Sequence, residues 1–249
     1  MKQTYFISNS YITLKDIFKY FEEDFYIRID DSAKAAVQKN RAYLEAQLTD
    51  GTKAIYGINT GFGSLCDVRI SDSDIESLQE KLILSHACGT GNRVPEFLAK
   101  FILLLKIKNL SMGFSGVRPT LLQTMIDHYN AGLVPVIYQL GSLGASGDLA
   151  PLSHMSLPLI GHGEVYMHGE IKASKEALSR QVIEPISLKA KEGLALINGT
   201  QFSLAYGLHG VYHAQRLIKI ANLVFALSME GYNAMLQPFS PLLHDIRKQ

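Results

Sequence analysis

The sequence predicts a mainly α-helical fold with a few short strands, and three observations predict it. Apolar residues recur at helical spacing along most of the 249 residues. Capping residues or prolines stand ahead of those apolar runs. Strand-like patterning is confined to two short stretches. Thr13 is placed to cap a first helix with Ile17, Phe18 and Phe21 on one face. Asp31 and Ser32 start a second, with Val37, Leu44 and Leu48 inward and Gly51 just beyond its end. Ala54 to Ile58 reads as a short strand before a glycine-rich turn. Ser71-Asp72-Ser73-Asp74 precedes a third helix carrying Ile75, Leu78 and Leu82 and ending near Gly89. Pro95 and Pro119 each suit the first turn of a further helix. Glu164 to Ile171 reads as a hairpin turning at His168-Gly169. From Gln201 to about Leu236 no proline intervenes, which predicts one long helix. That helix is apolar around so much of its circumference that it calls for burial on several sides, or for a partner. A boundary near Asn198 gives a first domain of residues 1–197 and a second of 198–249.

Composition excludes several classes of function. Apolar residues make up 47%, ample for a packed core, and the formal net charge of +1 argues against nucleic-acid or acidic-membrane partners. Cys66 and Cys88 lie far apart with no CxxC pattern. They point to a reducing compartment and to neither a disulfide framework nor a zinc site. The histidines other than His86 and His154 are read as forming neither an HxxxH nor an HExxH pattern, and no metal is expected. Met1 to Phe6 lacks the apolar run of a signal peptide. The most apolar stretch, Phe97 to Leu110, is interrupted by Lys100, Lys106 and Lys108 and is not read as a bilayer span. The expectation is a soluble cytoplasmic protein.

The chemistry centres on Ala145-Ser146-Gly147, inside Gly141-Ser-Leu-Gly-Ala-Ser-Gly-Asp-Leu-Ala-Pro-Leu-Ser-His154. The Gly147 amide is unhindered, so a tight loop can bring it against the Ala145 carbonyl carbon. Ring closure, with loss of water from the ring and from the Ser146 side chain, leaves an exocyclic methylene. Such a group is a strong electrophile of a kind that enzymes otherwise take from a cofactor. Alone, the tripeptide also suits an ordinary glycine-rich turn before a helix. A hydrolase nucleophile fits poorly, because Gly144-Ala-Ser-Gly-Asp148 departs from G-x-S-x-G at its last position.

This window resembles the signature of the aromatic amino acid ammonia-lyase family. Three more segments match in the family's order: Tyr56-Gly-Ile-Asn-Thr-Gly-Phe-Gly63, Leu84-Ser-His-Ala-Cys-Gly89 and Lys191-Glu-Gly-Leu-Ala-Leu-Ile-Asn-Gly-Thr-Gln201. The resemblance, closest to histidine ammonia-lyases, runs from about residue 50 to about residue 235. It implies the N-terminal domain of the ammonia-lyase (fumarase/aspartase-like) superfamily fold, followed by the first part of a central helical bundle. It also implies a small amino acid as substrate and a methylidene-imidazolone self-made from residues 145–147. No dissociable cofactor is implied, and the full-length family is expected to be homotetrameric. Family members have about twice this length, so the chain reads as a first half that lacks the second half's carboxylate-binding arginine. The closed ring is expected to form here, and turnover to need that second half.

The resemblance also assigns roles. Tyr56 matches the catalytic base; a phenol with a reference pKa of about 10 needs a site that favours phenolate, and the plain alternative is a buried tyrosine. Gly63, like Gly61, fits a loop whose backbone passes close to a ligand. Ser85 and His86 fall where substrate preference is read, a pair seen in histidine and in some tyrosine lyases; the alternative for His86 is a helix C-terminal residue favoured by the dipole. Asn198 matches the asparagine that holds the substrate or the electrophile's carbonyl, and the alternative is an N-cap for the long helix. Asp148, Pro151 and His154 read as structural supports of the loop. Tyr138-Gln139 and Leu143 depart mildly from the family's pattern. The rival readings are a tyrosine or phenylalanine ammonia-lyase or aminomutase, and a catalytically silent half-chain that binds a partner.

Overall fold

A helix from Glu96 to Ser111, buried on nearly every side, organises the larger of two compact units. The structure is a computed structural model and describes residues 3–49, 55, 57–61, 70–71, 74–144 and 147–247. They fall into units Met1–Tyr206 and Gly207–Gln249. In chain order the elements are β1 (Gln3–Ile7), α1 (Leu14–Glu22), β2 (Phe25–Ile29), α2 (Asp31–Thr49), α3 (Ile75–His86), β3 (Thr90–Arg93), α4 (Glu96–Ser111), α5 (Pro119–Asn130), β4 (Val134–Pro135), β5 (Tyr138–Leu140), α6 (Leu149–Ser156), β6 (Glu164–Met167), β7 (Glu170–Ala173), α7 (Ser174–Gln181), α8 (Glu192–Ile197), α9 (Gln201–Gly231) and α10 (Pro241–Ile246). Short 3-10 turns lie at Leu157–Ile160 and Gln237–Phe239. The chain is mainly helical, as its periodicity predicts.

Local chemistry explains most boundaries. Thr13 caps α1, its hydroxyl oxygen accepting the Asp16 N–H at 3.3 Å. The α2 cap is Asp30 rather than Asp31 or Ser32: its carboxylate accepts the Ala33 N–H at 2.7 Å. Val37 and Leu44 of α2 face inward, while Gly51 lies outside the described residues. Pro119 opens α5, whereas Pro95 stands one residue ahead of α4. The hairpin β6–β7 turns at His168 and Gly169, with φ of 54° and 79°, the two positive angles that a type I′ turn requires.

Two expectations need correction. The predicted strand at 54–58 is instead a turn at Gly57–Asn59. The Asn59 side-chain oxygen takes the Ile55 N–H at 2.7 Å and folds the backbone back on itself. Ala54 and Tyr56 lie outside the described residues. The long helix starts as predicted but stops at Gly231, before Leu236, and Asn233 then takes a left-handed φ of 51°.

Strands β1 and β2, unforeseen, pair in parallel around α1 in register from Gln3–Phe25 to Ile7–Ile29. The Asn130 side chain exchanges two 2.9 Å hydrogen bonds with the Ile27 backbone and ties β2 to α5. The remaining sheets are β3–β5 and β4–β6–β7. Among the described residues, no helix is long and apolar enough to cross a membrane. In the second unit, α9 exposes Leu217, Leu223 and Leu227, each at least 60% accessible.

His128, buried in the first unit, gives the fold a pH dependence. Burial pushes its pKa down to about 4, and its Nε2 has no partner among the described residues. The unfolded chain therefore binds more protons than the folded one between pH 6.5 and 4. Stability should fall as the pH drops through that window, by about 3 kcal/mol in all. Urea titrations at pH 7 and pH 4.5 test this: His128→Gln should flatten the slope, and an unchanged slope would assign it to other groups.

Candidate active site

The candidate residues lie on segments that are distant in sequence and meet through three helices. α3, which ends in Ser85-His86, α6, which follows Gly147, and α8, which precedes Asn198, pack against one another pairwise. The Gln79 side-chain oxygen on α3 accepts the Gly193 N–H at 2.8 Å and the Leu194 N–H at 3.3 Å, satisfying orphan donors of α8. The head of α8 is held again by Glu192, fully buried. Its carboxylate accepts from the Arg118 backbone and Nε at 2.9 Å, from Arg118 Nη2 at 2.7 Å and from the Lys189 N–H at 2.8 Å.

Gly147 is where the geometry is most restrictive. Its φ is +97°, and a Cβ added there would stand 2.5 Å from the Gly199 carbonyl oxygen. Only glycine fits. Gly147 and Gly199 form an isolated parallel bridge, and the Gly199 carbonyl accepts the Asp148 N–H at 2.8 Å. Gly199 is itself at φ +133°. Asp148 fixes the other side of the loop. Its buried carboxylate accepts from the Ser142 hydroxyl at 3.0 Å, the Ser203 N–H at 2.9 Å and the Ser203 hydroxyl at 2.7 Å. His154 Nε2 accepts the Gly89 N–H at 2.9 Å, which puts its proton on Nδ1, and burial holds its pKa below the usual range. Of Asp148, Pro151 and His154, read from the sequence as structural supports, Asp148 holds Ser142 and Ser203, whereas the His154 ring holds Gly89, on a distant segment.

Asn198 caps the C-terminus of α8 and is exposed. Its Nδ2 donates to the Leu194 carbonyl at 3.1 Å. The N-cap alternative for Asn198 is not realised, because the first helical bond of α9 runs from Leu204 N–H to the Thr200 carbonyl. The Asn198 carbonyl receives Lys106 Nζ at 2.5 Å. Lys106 is completely buried in α4, and burial lowers its pKa to about 7.

At the end of α3, the Ser85 hydroxyl donates to the Leu82 carbonyl at 3.0 Å. His86 Nδ1 lies 2.8 Å from the same carbonyl and 3.1 Å from the Ser85 hydroxyl. Nδ1 must therefore carry the proton in the neutral ring, which leaves Nε2 as the nitrogen able to meet a ligand. Tyr56, Gly63, Ala145 and Ser146 lie outside the described residues. The turn beside Tyr56 is tightly built: Asn59 and Thr60 are buried, and Thr60 accepts the Gly57 N–H at 3.3 Å.

A profile of the aromatic amino acid lyase family matches residues 12–249. The chain belongs to the aromatic amino acid lyase family. It is 44% identical over 238 residues to a histidine ammonia-lyase of Streptococcus pyogenes, covering 96% of this chain and 46% of that protein. This lyase chain thus spans about half the length of the curated relatives it matches. Among solved structures it resembles histidine ammonia-lyase from Trypanosoma cruzi, with a TM-score of 0.89, 33% identity and coverage of 98% of this chain and 47% of that one. It resembles Pantoea agglomerans phenylalanine aminomutase equally well, at a TM-score of 0.89, 30% identity and the same coverages.

A self-made ring at residues 145–147 fits what the lyase chain provides. Gly147 sits where a side chain has no room, and the Gln201 side-chain oxygen, buried against Gly199, has no partner among the described residues. Sequence reasoning passed over Lys106, which it took for an interruption of an apolar run, and gave Gln201 no role. It also missed His209 and His213, one turn apart on α9 with Nε2 atoms 2.8 Å apart. Among the described residues no group of three metal-ligating side chains comes together.

Proposed function

We propose that this sequence carries the electrophile-bearing part of a histidine ammonia-lyase, which converts L-histidine to trans-urocanate and ammonia. The observation that carries the reading is the seat of Gly147 against Gly199, which fixes the backbone that ring closure uses. Closure forms a bond from Gly147 N to the Ala145 carbonyl carbon. That carbonyl oxygen leaves as water with the two amide protons of Ser146 and Gly147. The Ser146 hydroxyl leaves as a second water with the Ser146 α-proton. The methylidene-imidazolone so formed supplies an electron sink for removing ammonia.

The chain's other residues bind, orient and move protons. Tyr56 takes the β-proton of the substrate. Asn198 holds the substrate or the ring carbonyl. Gly63 lets the backbone pass close to the ligand. Ser85 fixes His86 through the shared Leu82 carbonyl, and His86 Nε2 faces a polar substrate ring. Histidine is favoured over tyrosine by the 44% identity to a histidine ammonia-lyase, whereas the Ser85-His86 pair weighs chiefly against phenylalanine. A full-length protein containing this sequence tests the assignment: its product from L-histidine should show the ultraviolet spectrum of urocanate. Product from L-tyrosine alone would transfer the assignment to the tyrosine lyases.

The exposed Leu217, Leu223 and Leu227 on α9 favour a second reading, in which the chain alone is silent and binds a partner, or further copies of itself, through that face. Turnover by the purified 249-residue chain would contradict the silence, and a monodisperse monomer in light scattering would contradict the partner surface.

A further inference from the structure

Lys106 has no ordinary reason to be where it is. It is fully buried on α4, a helix whose other inward residues are almost all apolar. Among the described residues no carboxylate pairs with it, and its one hydrogen bond there is to the Asn198 carbonyl. An unpaired buried ammonium is costly, and an apolar residue of similar size normally serves a core better. What the lysine gains is a grip on one peptide group. That group, Asn198–Gly199, reaches the tripeptide on its far side: a Cβ built on Gly147 would stand 3.0 Å from Gly199 N, and the next peptide along holds the Asp148 N–H at 2.8 Å through the Gly199 carbonyl. Asn198 is extended, with φ −80° and ψ 136°, and Gly199 is at φ +133°. Glycine is conformationally permissive, and here the Asn198–Gly199 peptide is held at its carbonyl by Lys106 while the next peptide is held through the Gly199 carbonyl by the Asp148 N–H.

We propose that Lys106 is a positioning residue for ring closure, whose buried amino group locks the Asn198–Gly199 peptide as the ledge on which Gly147 sits. The proposal rests on the self-made ring at residues 145–147. Lys106 touches neither the ring atoms nor the substrate; it acts through the backbone of residues 198–199. Relaxing that ledge leaves Gly147 free to retreat, and a misplacement of about 1 Å in a reacting pair costs on the order of a hundredfold in rate. A purely structural lysine behaves differently, because replacing it destabilises the fold without affecting cyclisation in the molecules that fold.

The test compares the wild-type 249-residue chain with Lys106→Met, Lys106→Gln and Lys106→Arg by intact mass and urea titration. Wild type should lose two waters. Lys106→Met should keep or raise the urea midpoint while its cyclised fraction at a fixed time falls about tenfold or more. Lys106→Arg, which restores a charged donor, should recover most of that fraction, with Lys106→Gln between the two. Wild type and Lys106→Met cyclising to the same extent would overturn the role of Lys106 and leave the self-made ring standing. A lower midpoint with full cyclisation of the folded fraction would overturn it in favour of a structural role. Wild type at its unmodified mass would overturn the ring itself and this inference with it. Should Lys106→Met fail to fold, an Arg variant that folds but cyclises no better than the Gln variant also overturns the proposal.

Discussion

Replacing Glu192 with alanine is expected to destabilise the first unit by about 3–5 kcal/mol, a large share of the roughly 5–15 kcal/mol that holds a typical domain together. The carboxylate is fully buried and receives four hydrogen bonds, two from backbone amides and two from the Arg118 side chain. Its removal strands the Arg118 guanidinium, which is only a quarter exposed, and leaves the Arg118 and Lys189 N–H groups without their acceptor. Glu192→Gln keeps an acceptor and should cost less. Urea unfolding at pH 7 measures both. A loss below about 1 kcal/mol for the alanine variant, the range of an exposed pair, would mean that Arg118 and Lys189 find other partners. The effect should reach the site, since Glu192 anchors the head of the helix that ends at Asn198.

The other large effect is expected at Gly147. An alanine there meets the Gly199 carbonyl oxygen at 2.5 Å, a backbone atom with little freedom to give way, at a φ of +97° that an L-residue adopts only with strain. Gly147→Ala should therefore separate the two strands of the Gly147–Gly199 bridge and leave the chain at its unmodified mass. The helices should persist, so far-ultraviolet circular dichroism should change little while the variant keeps both waters and stays at its own sequence mass. An alanine variant that cyclises normally would show that the seat of Gly147 does not govern ring closure.

How much of this the sequence discloses depends on how local each signal is. The β6–β7 hairpin is legible because His168-Gly169 must supply both positive φ angles within one turn. Thr13 is legible because a cap acts over three residues. Parallel strands β1 and β2 escaped because their partner lies across a helix, although the alternation of Phe25 and Ile27 inward with Tyr26 and Arg28 outward is present in the sequence. The strand expected at 54–58 failed because one side chain, Asn59, closes the backbone there. At the site, Ser85, His86, Gly147 and Asn198 could be named from their motifs, whereas the contacts that organise them could not. Asp148 reaches Ser203 across 55 residues, and Lys106 reaches Asn198 across 92. A lysine within an apolar run looks like an interruption until the fold shows which carbonyl it serves.

The measurement that bears most directly on the central claim is the intact mass of the purified 249-residue chain. A mass two waters below the sequence value is expected, and would mean that Ala145, Ser146 and Gly147 have closed into a ring without the rest of the full-length protein. The unmodified sequence mass would contradict the account: the chain would then hold the seat of the electrophile without being able to make it.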